Sequence, residues 1–205
     1  MIDARSEDGG AGPSGADLGV VLEIQIRSAT GTDIEVIAAL TEEFEVEIAG
    51  ERGGDVWLRL HRRPAPLGAS IALTVNAAER HVGCALVATI DDVVVGWASA
   101  RTLEMTDGKS QQVAEITDLM VTAAARGVGV GRLLLDAVVT WSVAQECDGI
   151  DAVALPGARA TKNFFEAAHF TARAIVVHHR LRSTPKSGSA GSGPAVSGID
   201  AGAIS

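Results

Sequence analysis

Three glycines within five residues, placed just before an apolar run with helical spacing, are the strongest constraint on the fold of this chain. The stretch reads ARGVGVGRLLLD and has glycines at positions 127, 129 and 131. Glycines ahead of a helix indicate either a turn that needs a positive φ angle or a backbone that lies against a ligand. The stretch therefore predicts a helix N-terminus with a special backbone, and the rest of the sequence must decide between the two reasons.

The segments around these glycines alternate between strand-like and helix-like patterns. Period-two alternation and short apolar runs indicate strands, whereas apolar residues three and four positions apart indicate helices. Strands are predicted over 20–26, 84–90, 93–103, 113–121, 153–155 and 173–181, and helices over 34–52, 70–78, 129–144 and 158–168. The segment 56–61 is ambiguous, and the Arg63-Pro64-Ala65-Pro66 stretch interrupts it. This order predicts a mixed α/β layer architecture.

The two ends of the chain have the composition of disordered segments. Residues 1–19 are rich in Gly, Asp and Ser, and residues 183–205 are a Gly/Ser/Ala/Pro-rich tail. Neither segment can bury enough apolar surface to offset the entropy lost on ordering. The span 20–182 is long enough for one core, in a chain of 205 residues with 47% apolar content. We therefore expect one folded domain between two disordered segments.

Charge and composition exclude several classes of protein. A formal net charge of −9 argues against a general nucleic-acid binder. The apolar runs are far shorter than the roughly 18 residues of a membrane span, and the N-terminus lacks the basic-then-apolar order of a secretory signal. Cys84 and Cys147 have no metal-ligand spacing. We expect a cytoplasmic monomer or homodimer that has no metal site and binds neither nucleic acid nor membrane.

Two common phosphate-binding motifs do not fit the glycine stretch. A P-loop requires Gly-Lys followed by Ser or Thr, whereas this chain has Gly131-Arg132-Leu133. The dinucleotide fingerprint G-x-G-x-x-G requires a glycine at its sixth position. Counted from Gly127 or from Gly129, that position is Arg132 or Leu134. Another explanation of the glycines is needed.

The segment Arg126-Gly127-Val128-Gly129-Val130-Gly131 matches the [Q/R]-x-x-G-x-[G/A] pattern of the GNAT acetyltransferase superfamily. The chain resembles that family over about 20–182. The stretch VVVGWASAR is similar to the family's third strand, AEITDLMV to its fourth, and ARATKNFFEAAHF to its last helix. The resemblance implies a single α/β domain with a mixed, mostly antiparallel sheet, helices on both faces and a splayed central strand pair.

The resemblance also implies acetyl-CoA as cosubstrate. The family binds its pyrophosphate with backbone N–H groups at the helix N-terminus, where the helix dipole favours anions. The residues implied here are Arg126, Gly127, Val128, Gly129, Val130, Gly131 and Arg132. The pantetheine arm falls by resemblance on the backbone of Leu119, Met120 and Val121. Ala158 replaces an asparagine that often contacts the cofactor, and Asn163 is the predicted substitute. The alternative for each arginine is an ordinary solvated side chain.

Transfer of an acetyl group to an amine through a tetrahedral intermediate requires a neutral amine, although an alkylammonium has a pKa near 10.4. The resemblance places the general base at Glu115, in AEITDLMV. The alternative interpretation is an exposed strand glutamate paired with an arginine. Asp118, which alternation puts on the opposite face of the strand, is the weaker candidate base.

Two further features concern catalysis and the acceptor. Phe165 stands where the family has a tyrosine that protonates the leaving thiolate, and His169 replaces a glycine. These departures leave open a non-catalytic acyl-CoA-binding sensor as the alternative to an N-acetyltransferase. The acceptor is expected to be a small-molecule amine, or a protein lysine or N-terminal amine. A cationic amine is favoured by the acidic residues of the first helix, which are Glu42, Glu43, Glu45 and Glu47.

Overall fold

A five-stranded sheet organises the chain, in a computed structural model that describes residues 23–105, 111–175 and 177. The strands are β1 (Ile24–Ser28), β2 (Cys84–Ile90), β3 (Val93–Met105), β4 (Gln111–Val121) and β5 (Gly149–Asp151). The helices are α1 (Ile34–Ala49), α2 (Gly54–His61), α3 (Leu67–Glu79), α4 (Val130–Ala144) and α5 (Arg159–Ala167). Short 3₁₀ turns cover Gly31–Asp33 and Ala123–Ala125. The ambiguous segment 56–61 is thus helical, and α2 ends where Pro64 prevents its continuation.

The strands lie in chain order, and β1 to β4 are antiparallel to their neighbours. The β2–β3 hairpin turns at Asp91 and Asp92, both at positive φ, as the tightest hairpin turns require. Strand β5 runs parallel to β4. The predicted mixed, mostly antiparallel sheet is therefore confirmed.

Each face of the sheet is covered by its own pair of helices. Helices α1 and α3 cover one face through Ile37 and Ile71, which pack with Trp97 of β3. Helices α4 and α5 cover the other face through Leu134 and Phe165, which join a second buried cluster. The apolar positions that predicted these helices are the positions that face the sheet, so helices on both faces are confirmed.

Strands β4 and β5 pair over only three residues. The parallel register joins Val113, Ala114 and Glu115 to the three residues of β5 and then stops. From Ile116 to Val121, β4 has no strand partner on that side among the described residues. This divergence is the splayed central strand pair that the sequence resemblance implied.

A β-bulge in β4 changes which side chains share a face. Ser99 of β3 pairs with Asp118, whereas the next residue of β3 pairs with Ile116, so Thr117 is the extra residue. Glu115 pairs with Arg101, two residues beyond Ser99 on the same face of β3. Glu115 and Asp118 therefore share one face of β4. The prediction that they lie on opposite faces is wrong, because strict alternation does not hold across a bulge.

Two strand predictions need correction or lie partly outside the described residues. The strand predicted over 153–155 is wrong, since the fifth strand is Gly149–Asp151 and the apolar run after it is irregular. Of the strand predicted over 173–181, residues 173–175 and 177 have no regular secondary structure, and the rest lies outside the described residues. The segments 1–19 and 183–205, predicted to be disordered, also lie outside them.

Asp33 fixes the start of α1 against β1. Its two carboxylate oxygens accept hydrogen bonds from the terminal nitrogens of Arg27 at 2.8 Å, and one oxygen also accepts the Thr30 backbone N–H at 2.8 Å. The Asp33 side chain is 6% exposed. Hydrogen bonding to Arg27, which outweighs the opposing effect of burial, lowers the pKa of Asp33 to about 2.

This depressed pKa predicts a pH-dependent contribution to stability. The carboxylate stabilises the folded state fully above its unfolded pKa near 3.8, and the contribution is lost as the pH falls toward about 2. Urea unfolding at several pH values should show a loss of up to about 2 kcal/mol over that window in the wild type and a much smaller loss in Asp33→Asn. The control is the exposed Asp55→Asn, which should follow the wild type. Parallel curves for wild type and Asp33→Asn would contradict the assignment.

Candidate active site

The splayed edge of β4 opens into a cleft of about 1010 Å³ that lies between α2–α3 on one side and the N-terminus of α4 on the other. Of the predicted site residues, the cleft is lined by Glu115, Leu119, Met120, Val121, Arg126, Gly127, Gly129, Gly131 and Arg132. Val128, Val130 and Asn163 are not among its lining residues. Val130 is 1% exposed in the core, and Val128 and Asn163 point their side chains to solvent. The structure therefore does not bring Asn163 to the cleft.

The glycine turn at the head of α4 needs its glycines for their backbone conformation. Gly127 and Gly129 have φ angles of 82° and 99°, which L side chains rarely adopt. A Cβ atom added at either residue would meet no atom within 4 Å. The turn therefore requires positive φ, and the space above it is open to the cleft. The first reason that the sequence raised, a positive φ angle, is confirmed, and the open space leaves room for a ligand.

Backbone N–H groups cluster at this turn without protein acceptors. Within the described part of the chain, none of the N–H groups of residues 127–132 donates to another backbone group, and the first such bond runs from Leu133 to the Gly129 carbonyl at 3.1 Å. Unpaired N–H groups at a helix N-terminus carry partial positive charge and suit an anion. The open space and the free donors together make the turn chemically suited to an anion.

The two arginines beside the turn have different roles. Both terminal nitrogens of Arg126 donate to the carboxylate of Glu47, at 2.7 and 2.6 Å, and its Nε donates to the Val121 carbonyl at 2.9 Å. This hydrogen bonding lowers the pKa of Glu47 and raises that of Arg126. Arg132 donates through Nε to Asp136, and its terminal nitrogens have no partner among the described residues. Arg132 is thus the freer cation at the cleft.

Glu115 lies near the middle of β4 and is the last residue of that strand that pairs with β5. Its Oε2 accepts from both Nε and Nη2 of Arg101, each at 2.7 Å, and its side chain is 23% exposed. The arginine partner that the alternative interpretation expected is therefore present. Because both contacts fall on one oxygen, Oε1 has no hydrogen-bond partner among the described residues. Glu115 lines the cleft and keeps one oxygen available to a ligand.

Asp118 is buried and fully engaged, in contrast to Glu115. Its carboxylate accepts from Arg63 at both oxygens, from the hydroxyl of Ser99, and from that of Thr117 at 3.2 Å. Its side chain is 4% exposed. A carboxylate that already accepts four hydrogen bonds has little capacity to take a proton from a substrate. Its role in this cleft is structural.

Arg63 is a residue that sequence reasoning missed, and it uses all five of its N–H donors. Besides the two bonds to Asp118, it donates to the Thr74 hydroxyl at 2.9 Å, the Ser70 carbonyl at 3.5 Å and the Ser99 hydroxyl at 3.3 Å. Its guanidinium also lies 5.8 Å from the Trp97 ring centroid. Arg63 therefore ties α3 and the segment before it to the bulge of β4. No local sequence signal could have found it, because its main partner is 55 residues away.

The remaining predicted features of the cleft concern α5. Phe165 lines the cleft and is 8% exposed, with its ring 5.3 Å from that of Phe164 and 5.2 Å from that of Phe170. It offers packing and no proton. Ala158 lines the cleft at the start of α5. Among the described residues, no group of three or more His, Cys, Asp and Glu side chains could hold a metal ion.

Comparison with known proteins identifies the family. The model of the acetyltransferase (GNAT) family matches residues 47–170. The chain belongs to this family. The matched span contains the cleft's β4 edge, glycine turn and α5. No curated protein matches the chain by sequence. In the described part of the chain, no helix is both long and apolar enough to cross a membrane.

Solved structures share the fold at low sequence identity. A mutant of the BH1408 protein from Bacillus halodurans has a TM-score of 0.64 at 19% identity, over 77% of this chain and 99% of that one. Aminoglycoside N-acetyltransferase AAC(6')-Iy in complex with CoA has a TM-score of 0.59 at 19% identity, over 81% of this chain and 99% of that one. An aminoglycoside acetyltransferase from an uncultured soil metagenomic sample, in complex with sisomicin, has a TM-score of 0.56 at 18% identity, over 78% of this chain and 97% of that one. Acetyltransferases in complex with CoA and with sisomicin thus share this fold.

The Arg63–Asp118 pair predicts a large stability effect. Arg63→Met leaves the Asp118 carboxylate buried without its cation, which should cost about 3–5 kcal/mol in urea unfolding. The double variant Arg63→Met with Asp118→Asn should recover part of that loss, because it removes the unpaired charge. The control is Arg173→Met, which breaks an exposed pair with Asp151 and should cost about 0–1 kcal/mol. Equal losses in Arg63→Met and the control would show that the network does not anchor the fold.

Proposed function

We propose that this protein is an acetyl-CoA-dependent N-acetyltransferase that acetylates a primary amine. The observation that carries the proposal is that a glycine turn with unpaired N–H groups and a carboxylate with one available oxygen lie on either side of the β4 segment that β5 leaves unpaired. The first feature suits a phosphate-bearing cosubstrate, and the second suits an amine that must lose a proton. Both line one cleft.

The residues present fit acetyl-CoA. The N–H groups of the glycine turn and the terminal nitrogens of Arg132 would hold its pyrophosphate. The backbone of Leu119, Met120 and Val121, at the edge that β5 leaves unpaired, would pair with its amide-containing arm. When bound, acetyl-CoA supplies an acetyl group activated as a thioester. In the balanced reaction an amide C–N bond replaces the thioester C–S bond.

Glu115 is the proposed general base. An alkylammonium has a pKa near 10.4, so at neutral pH nearly all of the acceptor carries a proton that must be removed. Glu115 takes this proton at Oε1 while Arg101 holds Oε2 and thereby fixes the orientation of the carboxylate. The proton then passes to solvent, and the second amine proton ends on the free thiol. Asp118 is unsuited because its oxygens are occupied.

The neighbouring structures support amine chemistry. Two of them are described as aminoglycoside acetyltransferases, one with CoA and one with sisomicin, which carries amino groups. Phe165 carries no hydroxyl, so it donates no proton in this chain. This absence affects the rate of thiol release and does not affect acceptor deprotonation, for which Glu115 is proposed.

Cosubstrate binding is tested by thermal unfolding. Acetyl-CoA should raise the melting temperature because it binds the folded state only, and free acetate should not. Arg132→Glu should reduce the shift strongly, since it replaces a cation at the head of α4 by an anion. The control is Arg59→Glu, which makes the same charge change at an exposed position of α2 outside the cleft. No response of the wild type to millimolar acetyl-CoA would refute the proposal.

The role of Glu115 is tested by pH-dependent kinetics. Glu115→Gln should lower turnover by about 10²-fold or more near neutral pH and leave the acetyl-CoA thermal shift intact. Raising the pH should restore part of the rate, because the amine then loses its proton unaided. Glu104→Gln, on an exposed strand position outside the cleft, should retain the wild-type rate. Wild-type turnover of Glu115→Gln from about pH 6 to 9 would assign the base to water.

A further inference from the structure

One wall of the cleft is apolar and lies on the Glu115 side of β4. It is formed by α1, α2, α3 and the residues after α3. Its large apolar members are Phe44, Trp57, Leu60, Leu73 and Val82. We call this set the apolar wall. Phe44 and Trp57 meet edge to face, with ring centroids 5.6 Å apart.

Several members of the apolar wall are unusually exposed for their size. Leu60, Leu73 and Val82 are 63%, 70% and 67% exposed, although all three line one concave surface. Single exposed apolar side chains are ordinary, but several that line one cleft indicate a binding surface. The occupant of this part of the cleft must therefore bring an apolar surface of its own.

Three of the four carboxylates that line the cleft already contact an arginine. Glu47 is paired with Arg126, Asp118 with Arg63, and Glu115 binds Arg101 through one oxygen. Of the acidic residues that favoured a cationic acceptor at the sequence level, only Glu47 lines the cleft. Glu45 is buried against Arg62, and Glu42 and Glu43 lie outside it. Glu51 is the one lining carboxylate without an ion-pair partner among the described residues. A molecule with several ammonium groups would find too few anions here.

We infer that the acceptor is a monoamine carried on an aliphatic or aromatic body, which the apolar wall binds while Glu115 deprotonates the amine. This inference rests on the proposed N-acetyltransferase function and narrows its substrate class. Each methylene buried against the wall strengthens binding by about fourfold. The apolar wall and Glu115 line the same cleft, and the inference places one elongated amine across both.

The test is an acceptor series assayed by release of free thiol from acetyl-CoA. The acceptors are n-butylamine, n-hexylamine, phenethylamine, spermidine and kanamycin. The inference predicts that kcat/KM rises by about fourfold per methylene from n-butylamine to n-hexylamine. It also predicts that n-hexylamine and phenethylamine exceed spermidine and kanamycin.

A matched pair of variants locates the apolar contact. Leu73→Ser should raise KM for n-hexylamine by about tenfold or more and leave the acetyl-CoA thermal shift unchanged. Val46→Ser is the control, because Val46 is 78% exposed on α1 and lies outside the cleft. It should leave KM unchanged. Equal effects of the two variants would overturn the assignment of the wall.

The outcomes separate this inference from the function on which it rests. Preferred acetylation of spermidine or kanamycin would overturn the apolar acceptor and leave the N-acetyltransferase function standing. If none of the five amines causes thiol release although acetyl-CoA raises the melting temperature, both the apolar acceptor and the N-acetyltransferase function are overturned. That result would favour the acyl-CoA-binding sensor. A steep chain-length dependence that Leu73→Ser abolishes supports both.

Discussion

The parallel pairing of β4 with β5 stops at Glu115, and the whole site depends on this early end. Beyond it, β4 remains paired to β3 on one side and leaves its other edge to the cleft. The glycine turn follows β4 after one 3₁₀ turn, so the N-terminus of α4 lies against the same cleft as the exposed strand edge. The cleft therefore has Glu115, from the middle of β4, on one side of that edge and the glycine turn on the other.

Ion pairs set the shape of the cleft before any ligand enters it. Arg63 uses five donors to join α3 to the bulge of β4, and Asp118 supplies the buried charge that compensates it. Such a pair fixes the positions of the elements that it joins more than it adds to the net free energy of unfolding, because desolvation of both charges offsets much of their attraction. Here the pair joins α3, which carries Leu73 of the apolar wall, to the strand that carries Glu115.

Local patterns in the sequence were sufficient for most of the element order and for the glycine turn, but they missed α2 and β5. Helix periodicity, the Asp91-Asp92 turn and the glycines each act over a few residues, so a single chain displays them. The bulge at Thr117 was not predictable from the sequence. One extra residue leaves the composition of the strand unchanged and only changes which residues after it face each side of the sheet. Strand β5 was missed because Gly149-Ile150-Asp151 is too short to show alternation. The bond between Arg63 and Asp118 joins elements 55 residues apart, which no local pattern reveals.

The contacts of Arg126 show which of the two arginines beside the glycine turn already uses its terminal nitrogens in an ion pair. Its three nitrogens bind Glu47 and the Val121 carbonyl, so it links the end of α1 to the end of β4. A phosphate group and the Glu47 carboxylate would compete for the same guanidinium, and the pair raises the pKa of Arg126, which keeps it charged. Arg132, with its terminal nitrogens directed to no described acceptor, offers its charge without breaking a contact. Arg126 therefore holds the turn against Glu47 and Val121, and the free N–H groups and the terminal nitrogens of Arg132 remain open to a ligand.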